Sequence, residues 1–237
     1  MKRHIPNTIT CCNLICGCIA TYFVLQPVAR YDLALAFIVG GAVFDFFDGF
    51  MARLLKVSSP IGKELDSLAD CITFGMAPAS VVFALLSEVT PNASVGSPVA
   101  DFLPFVAFIL AAFSALRLAK FNLDERQSTS FIGLPTPANA LFWGALAYGA
   151  HDWLTVMPSA LWILLSGILV SSFLLVAEIP MFALKFKNFG WHGNVLRYSL
   201  ILAAFLLLIF FGWVAFAYII VLYVLLSMGA NIMKRNA

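Results

Sequence analysis

Four aspartates carry most of the chemical information in this sequence. Asp45, Asp48, Asp66 and Asp70 fall in otherwise apolar stretches, where an ionised aspartate at a helix centre costs about 2.5–3.5 kcal/mol on the insertion scale. Four such groups would cost on the order of 10 kcal/mol, so a cation must offset them or they must hold protons. Their spacing gathers them. Asp45, Asp48, Gly49 and Ala52 are related as i, i+3, i+4 and i+7, one face of a helix, while Gly62, Asp66 and Asp70 step by four along a face of the next. The connection Leu54–Ile61 is short enough to make these helices antiparallel neighbours, so all four carboxylates can converge. With no His or Cys nearby, the set suits a hard ion: Mg²⁺, Mn²⁺ or Ca²⁺. Two divalent ions would roughly neutralise it, and two metals about 3.5–4 Å apart polarise a phosphoryl group and activate an attacking oxygen. Gly49 and Ala52 leave space beside the carboxylates, and Arg53 adds a planar fork suited to phosphate.

The elements that must position these residues are membrane helices. The chain has 237 residues, 62% hydrophobic and only 11% charged, which excludes an ordinary soluble globule and a disordered tail. A span takes about 20 apolar residues. The expected fold is therefore an all-α, polytopic bundle of about eight spans, forming a single domain over residues 1–237. The spans are expected at Thr8–Leu25, Leu33–Leu55, Leu65–Leu86, Phe102–Asn122, Leu134–Ala150, Ala160–Ala177, Leu196–Trp213 and Val214–Met233. The last two are expected either to form a tight hairpin around Gly212–Trp213 or to be a miscount of the spans. Lys and Arg in short loops favour the cytoplasm, and an even span count with the N-terminus inside puts every basic residue there except Arg30. Both termini are thus expected in the cytoplasm. Asp45 then lies eight residues before Arg53, roughly 12 Å inside the cytoplasmic end at 1.5 Å per residue, close to the phosphate layer.

The remaining features point elsewhere or nowhere. Met1-Lys2-Arg3-His4 leads into an apolar stretch without a small-residue cleavage site, so the segment is expected to stay as the first span. Cys11, Cys12, Cys16, Cys18 and Cys71 sit in apolar segments and suggest neither a disulfide framework nor a zinc site. His151 and His192 are expected to be interfacial residues, not ligands. The segment Met181–Trp191, aromatics alternating with Lys185 and Lys187, is expected along the inner headgroup layer. A net charge of +2 gives no argument for nucleic acid.

Asp45-Phe-Phe-Asp48-Gly49-Phe-Met-Ala52-Arg53, eight residues, then Gly62-Lys-Glu-Leu-Asp66-Ser-Leu-Ala-Asp70 resembles the full signature of the CDP-alcohol phosphotransferase family. The resemblance implies an integral membrane homodimer that displaces CMP from a CDP-linked alcohol with a second alcohol. It implies that the four aspartates hold two divalent metals and that Asp70 is the general base. It also implies that Asp48, Gly49, Ala52 and Arg53, with Asn7 and Thr10 of the first span, hold the CDP moiety.

A finer resemblance, to the phosphatidylserine synthase branch, covers Pro6 to about Ala140. It rests on Pro6-Asn7-Thr8-Ile9-Thr10-Cys11-Cys12-Asn13, Glu64–Asp70, Thr73–Pro78, Arg117-Leu118-Ala119-Lys120-Phe121-Asn122 and Phe131–Pro137. Lys120 stands where the branch has arginine, and Ile61 where an aromatic is expected. This resemblance implies CDP-diacylglycerol and L-serine as substrates, Arg117, Lys120 and Asn122 in an acceptor region over 117–137, and a site facing the cytoplasm of a bacterial or archaeal cell membrane. Two alternatives stay open from the sequence: another acceptor such as glycerol phosphate or inositol phosphate, and, outside this chemistry, a cation transporter. The transporter lacks the internal repeats or paired broken helices it should show.

Overall fold

The computed structural model describes residues 4–57, 59–92, 96, 99–124, 131–182, 190 and 194–235. Helices dominate in chain order: α1 (His4–Val24), α2 (Tyr31–Leu54), α3 (Pro60–Asp70), a π-helical turn (Cys71–Met76), α4 (Ala77–Val89), α5 (Val99–Phe102), a 3₁₀ segment (Leu103–Phe108) and α6 (Ile109–Leu123). Then follow α7 (Thr136–Val156), α8 (Ala160–Val176), α9 (Val195–Phe211) and α10 (Ala215–Arg235). By length and composition, five stretches among the described residues can cross a membrane: His4–Val24, Tyr31–Leu54, Pro60–Asn92, Val99–Leu123 and Val195–Ile232. The last contains both α9 and α10. Ala160–Val176 is apolar but shorter. Every expected span coincides with a helical stretch, with ends displaced by a few residues. The all-α expectation needs one amendment: β1 (Phe131–Ile132) and β2 (Pro180–Met181) pair antiparallel, Phe131 opposite Met181 and Ile132 opposite Pro180.

Close packing of α1, α2 and the π-helical turn builds the frame of the site. A Cβ on Gly17 would lie 2.6 Å from Thr73 Cα, and one on Gly41 would lie 2.4 Å from Thr73 Cγ2. Thr73 Oγ1 donates to the Asn13 carbonyl at 2.9 Å. Hydrogen bonding across this contact is available only because both glycines let the backbones approach. Gly17→Ala is therefore expected to cost about 2 kcal/mol by overpacking, seen as a Tm lowered by about 4–8 °C in detergent. An unchanged Tm would show that the three segments are not in contact.

Local signals set the hairpin between α2 and α3. α2 ends where Lys56 takes a left-handed conformation (φ 52°), with Lys56 N–H donating to Arg53 O and Val57 N–H to Ala52 O, the two bonds of a Schellman terminus. α3 starts with Ser59, whose side chain accepts from Gly62 N–H, followed by Pro60 in the first turn. At the far end of α3 the π-helical turn begins directly after Asp70. Such turns insert one residue into the helical register, so Asp70 is the last residue to follow the α-helical face of Asp66.

The core lies between α1, α2, α4, α7 and α8 around Phe74, Leu85, Trp143 and Leu164, all essentially inaccessible. α9 is peripheral. It packs on α10, and Leu200 is its one buried residue, while Leu202, Phe205, Ile209 and Phe210 are exposed, as a lipid-facing helix requires.

His151 differs from its expected role as a merely interfacial residue. At the end of the bundle opposite Arg53, its Nε2 lies 2.6 Å from Glu88 Oε2 and its Nδ1 2.9 Å from Asp152 Oδ1, while Tyr31 donates to Glu88 Oε1 at 2.8 Å. The sequence hid this because Glu88 is far along the chain. Partial burial lowers the His151 pKa, the carboxylates of Asp152 and Glu88 raise it, and the balance is upward. A raised pKa stabilises the fold below the unfolded-state value of about 6.5, and that contribution fades as pH rises through the higher folded-state value. Stability is thus expected to fall on raising pH through that window, and His151→Gln is expected to flatten the fall in a Tm-against-pH series. His192 lies outside the described residues, as do Lys185, Lys187 and most of 183–193.

Candidate active site

The α2–α3 hairpin, whose two arms both pack on α1 and barely on each other, brings three aspartates together. Asp45, Asp48 and Asp66 each offer a carboxylate oxygen within 4.8 Å of the others. Oxygen ligands bind Mg²⁺ or Ca²⁺ at about 2.0–2.6 Å, so opposed ligands stand about 4–5 Å apart, and the set fits one such ion. Asp66 Oδ1 is buried without a hydrogen-bond partner, a further sign that a cation belongs there. Asp70 stands beside this triad instead of within it. Its Oδ1 accepts from Asn13 Nδ2 at 3.1 Å, and Asp45, Asp66 and Asp48 are near enough to act on its charge. Asp45, Asp48 and Asp66 are oxygen donors that could hold a divalent metal, and Asp70, expected as a fourth ligand, lies next to them.

A cavity of about 210 Å³ opens on the Asp48–Asp66 side. Asn7, Thr10, Asp48, Gly49 and Ala52 line it, with Ser59, Gly62, Lys63 and Asp66. Thr10 Oγ1 donates to Asp48 Oδ2 at 2.6 Å and so fixes one carboxylate of the triad. Gly62 is tightly enclosed: a Cβ there would stand 3.0 Å from Ser59 Oγ and 3.1 Å from Asn7 Oδ1. Arg53 is exposed and does not line the cavity. Its Nη1 lies 3.5 Å from where a Gly49 Cβ would be, so it borders the site at Gly49.

A second cavity, about 370 Å³, is lined by Arg117, Lys120, Ile132, Leu175, Val176 and Glu178, with Leu123 and Asp124. Arg117 is buried although it stands near the end of α6. It is only 7% exposed, its Nε has no hydrogen-bond partner, and its guanidinium sits 5.2 Å from the Phe121 ring centroid. Asp70 is near enough to act on its charge. Asn122 departs from the expected acceptor set. Its Nδ2 donates to Ser67 Oγ at 2.7 Å and its carbonyl accepts from Lys63 Nζ at 3.2 Å, so it fastens α6 to α3 and does not face the cavity.

Lys63, Ser59 and Asn13 were not singled out from the sequence. Ser59-Pro60 is a helix-start signal that could have placed Ser59. Thr10 and Asn13 are polar residues on the buried seam Pro6, Thr10, Asn13, Gly17, Ala20 of α1, and a polar pair on such a seam is itself a signal.

The fold and site define a class before they define an acceptor: an apolar helical bundle with an aspartate cluster that could hold a divalent metal. The chain belongs to the CDP-alcohol phosphatidyltransferase family, whose model matches residues 3–181. A Bacillus subtilis protein called CDP-diacylglycerol–serine O-phosphatidyltransferase is 33% identical over 191 residues, covering 81% of this chain and 94% of the relative. A Mycobacterium leprae protein of the same name is 35% identical over 192 residues, covering 75% of this chain and 57% of the relative. A Saccharomyces cerevisiae one is 38% identical over 163 residues, covering 61% and 54%. The chain thus spans nearly all of the Bacillus relative and little more than half of the other two.

Proposed function

We propose that the protein transfers the phosphatidyl group of CDP-diacylglycerol to the hydroxyl of L-serine, giving phosphatidylserine and CMP. The observation that carries this is the order of the parts: a nucleotide-side cavity at Asp48, the aspartate triad, Asp70, and a buried, under-bonded Arg117 in a second cavity beyond. The shared name of the three relatives supports serine as acceptor. Asn7, Thr10, Gly49 and Ala52 shape the CDP side, and Lys63 supplies a cation for its phosphates. Mg²⁺ or Mn²⁺, two ions in the full complement, supplies charge neutralisation of the pyrophosphate when bound. Asp70, held by Asn13, accepts the serine hydroxyl proton. The serine oxygen bonds to the lipid-side phosphorus as the bond from that phosphorus to the bridging oxygen breaks, and CMP leaves with that oxygen. Arg117 pairs with the serine carboxylate and Lys120 adds positive potential at the mouth.

In this proposal all eight helical stretches cross the bilayer, both termini and the site face the cytoplasm, and two copies form a homodimer. Single cysteines placed in a cysteine-free background at Val28 and Lys56 should then label from opposite sides. Labelling of both from one side would overturn the orientation. The acceptor assignment is tested with labelled L-serine, CDP-diacylglycerol and Mg²⁺: labelled phosphatidylserine should accumulate. Arg117→Ala should raise the serine KM at least about tenfold, the worth of one hydrogen bond to a charged group. An unchanged serine KM would remove Arg117 from acceptor binding.

A further inference from the structure

The helices α9 and α10 lie wholly beyond residues 3–181, the part of the chain matched by the family, and α10 nevertheless reaches the second cavity's wall. That wall is a folded-back strap. β1 pairs with β2, Gly133 N–H donates to Ile179 O at 3.0 Å and Leu134 N–H to Leu174 O at 2.8 Å. Gly133 has φ +76° and comes so near α8 that a Cβ there would lie 2.6 Å from Leu175 O. Ile132 and Glu178 of this strap, with Leu175 and Val176 at the end of α8, line the cavity together with Arg117 and Lys120.

Two side chains of α10, eight residues apart and so on one broad helix face, hold the strap by its main chain. Tyr223 OH donates to Phe182 O at 3.1 Å, and Asn231 Nδ2 donates to Pro180 O at 2.5 Å. The Tyr223 ring also meets the Phe182 ring edge-on at 5.1 Å between centroids, and Tyr223 packs with Leu134, Met181 and Leu200. Tyr223 lies near Arg117, although it does not line the cavity itself. A strap of two-residue strands has too few bonds of its own to keep a fixed position.

We propose that Tyr223 and Asn231 are positioning residues for the second substrate: α10 fixes the strap, and the strap fixes the width of the cavity across from Arg117. This rests on the assignment of that cavity to the acceptor. The C-terminal hairpin is thus a selectivity element added to the transferase, acting on serine and not on the CDP-lipid.

The test uses the full chain in detergent with CDP-diacylglycerol and Mg²⁺. Asn231→Asp, which removes the donor at nearly constant size, and Tyr223→Phe should each raise the serine KM about five- to tenfold. The kcat should stay within about threefold and the CDP-diacylglycerol KM within about twofold. Asn231→Gln, which keeps a donor, should recover part of the loss. An unchanged serine KM would overturn the inference. So would parallel loss of kcat, both KM values and Tm, because that marks only a looser fold. Arg117→Ala measured alongside separates the layers. If Arg117→Ala raises the serine KM and the α10 variants do not, the positioning role alone fails. If none of them moves it, the acceptor cavity is misassigned and this inference falls with it.

Discussion

Stripping divalent cations with EDTA should lower activity by at least about 10³-fold, and Mg²⁺ or Mn²⁺ should restore it. Metal neutralisation of a transferring phosphoryl group is worth several kcal/mol, and each 1.36 kcal/mol is tenfold in rate. Asp66→Asn should hold activity at that low level even when millimolar Mg²⁺ is returned. Asp66 is the sharpest choice, because its Oδ1 is buried without a partner and lies with Asp45 and Asp48 inside a 4.8 Å cluster. A neutral amide there removes a ligand and changes almost nothing else. Full activity in chelator would contradict the metal assignment, since no cation among the described residues forms an ion pair with these carboxylates. Asp45→Asn should behave as Asp66→Asn does.

Asp70→Asn is expected to lower kcat by about 10²–10⁴-fold, the usual contribution of a general base, while CDP-diacylglycerol binding changes little. The geometry separates the two roles. Asp70 stands outside the three-oxygen cluster and is oriented by Asn13 Nδ2 at 3.1 Å, whereas Asp48 lines the nucleotide-side cavity and is fixed by Thr10. Asp48→Asn should therefore weaken nucleotide binding along with turnover. Binding must be measured apart from rate, for example by equilibrium titration of CMP or of the CDP-lipid, because KM can hide a change in chemistry. Equal loss of binding in both variants would make Asp70 another metal ligand. Near-normal turnover in Asp70→Asn would assign the proton to a different acceptor.

The aspartate hairpin was legible because helical spacing is enough to put i, i+3, i+4 and i+7 on one face, and a short connection is enough to make neighbours of α2 and α3. Composition made the helical bundle legible in the same way. What spacing could not give is anything made by tertiary approach. The π-helical turn begins directly after Asp70, and no local sequence signal announces it. The burial of Arg117 was not legible because α8, which packs on α6, is more than 40 residues away in the chain. The bond of Asn122 to Ser67 was not legible because its partner lies on another helix. The strap of β1 and β2 escaped because two-residue strands carry no period, and α10 gained a role only once Tyr223 and Asn231 were seen beside it. His151 belongs to the same group: its partner Glu88 is 63 residues distant.

The most direct measurement is CMP release by the purified protein given CDP-diacylglycerol and Mg²⁺, run in parallel with L-serine, glycerol 3-phosphate, inositol phosphate and no added alcohol. CMP should appear rapidly with L-serine, at background without an alcohol, and no faster than background with either phosphorylated alcohol. Rapid release with a phosphorylated alcohol and none with serine would keep the aspartate chemistry and contradict the acceptor. Absence of CMP release with every alcohol, from protein that still binds Mg²⁺, would contradict the transferase itself.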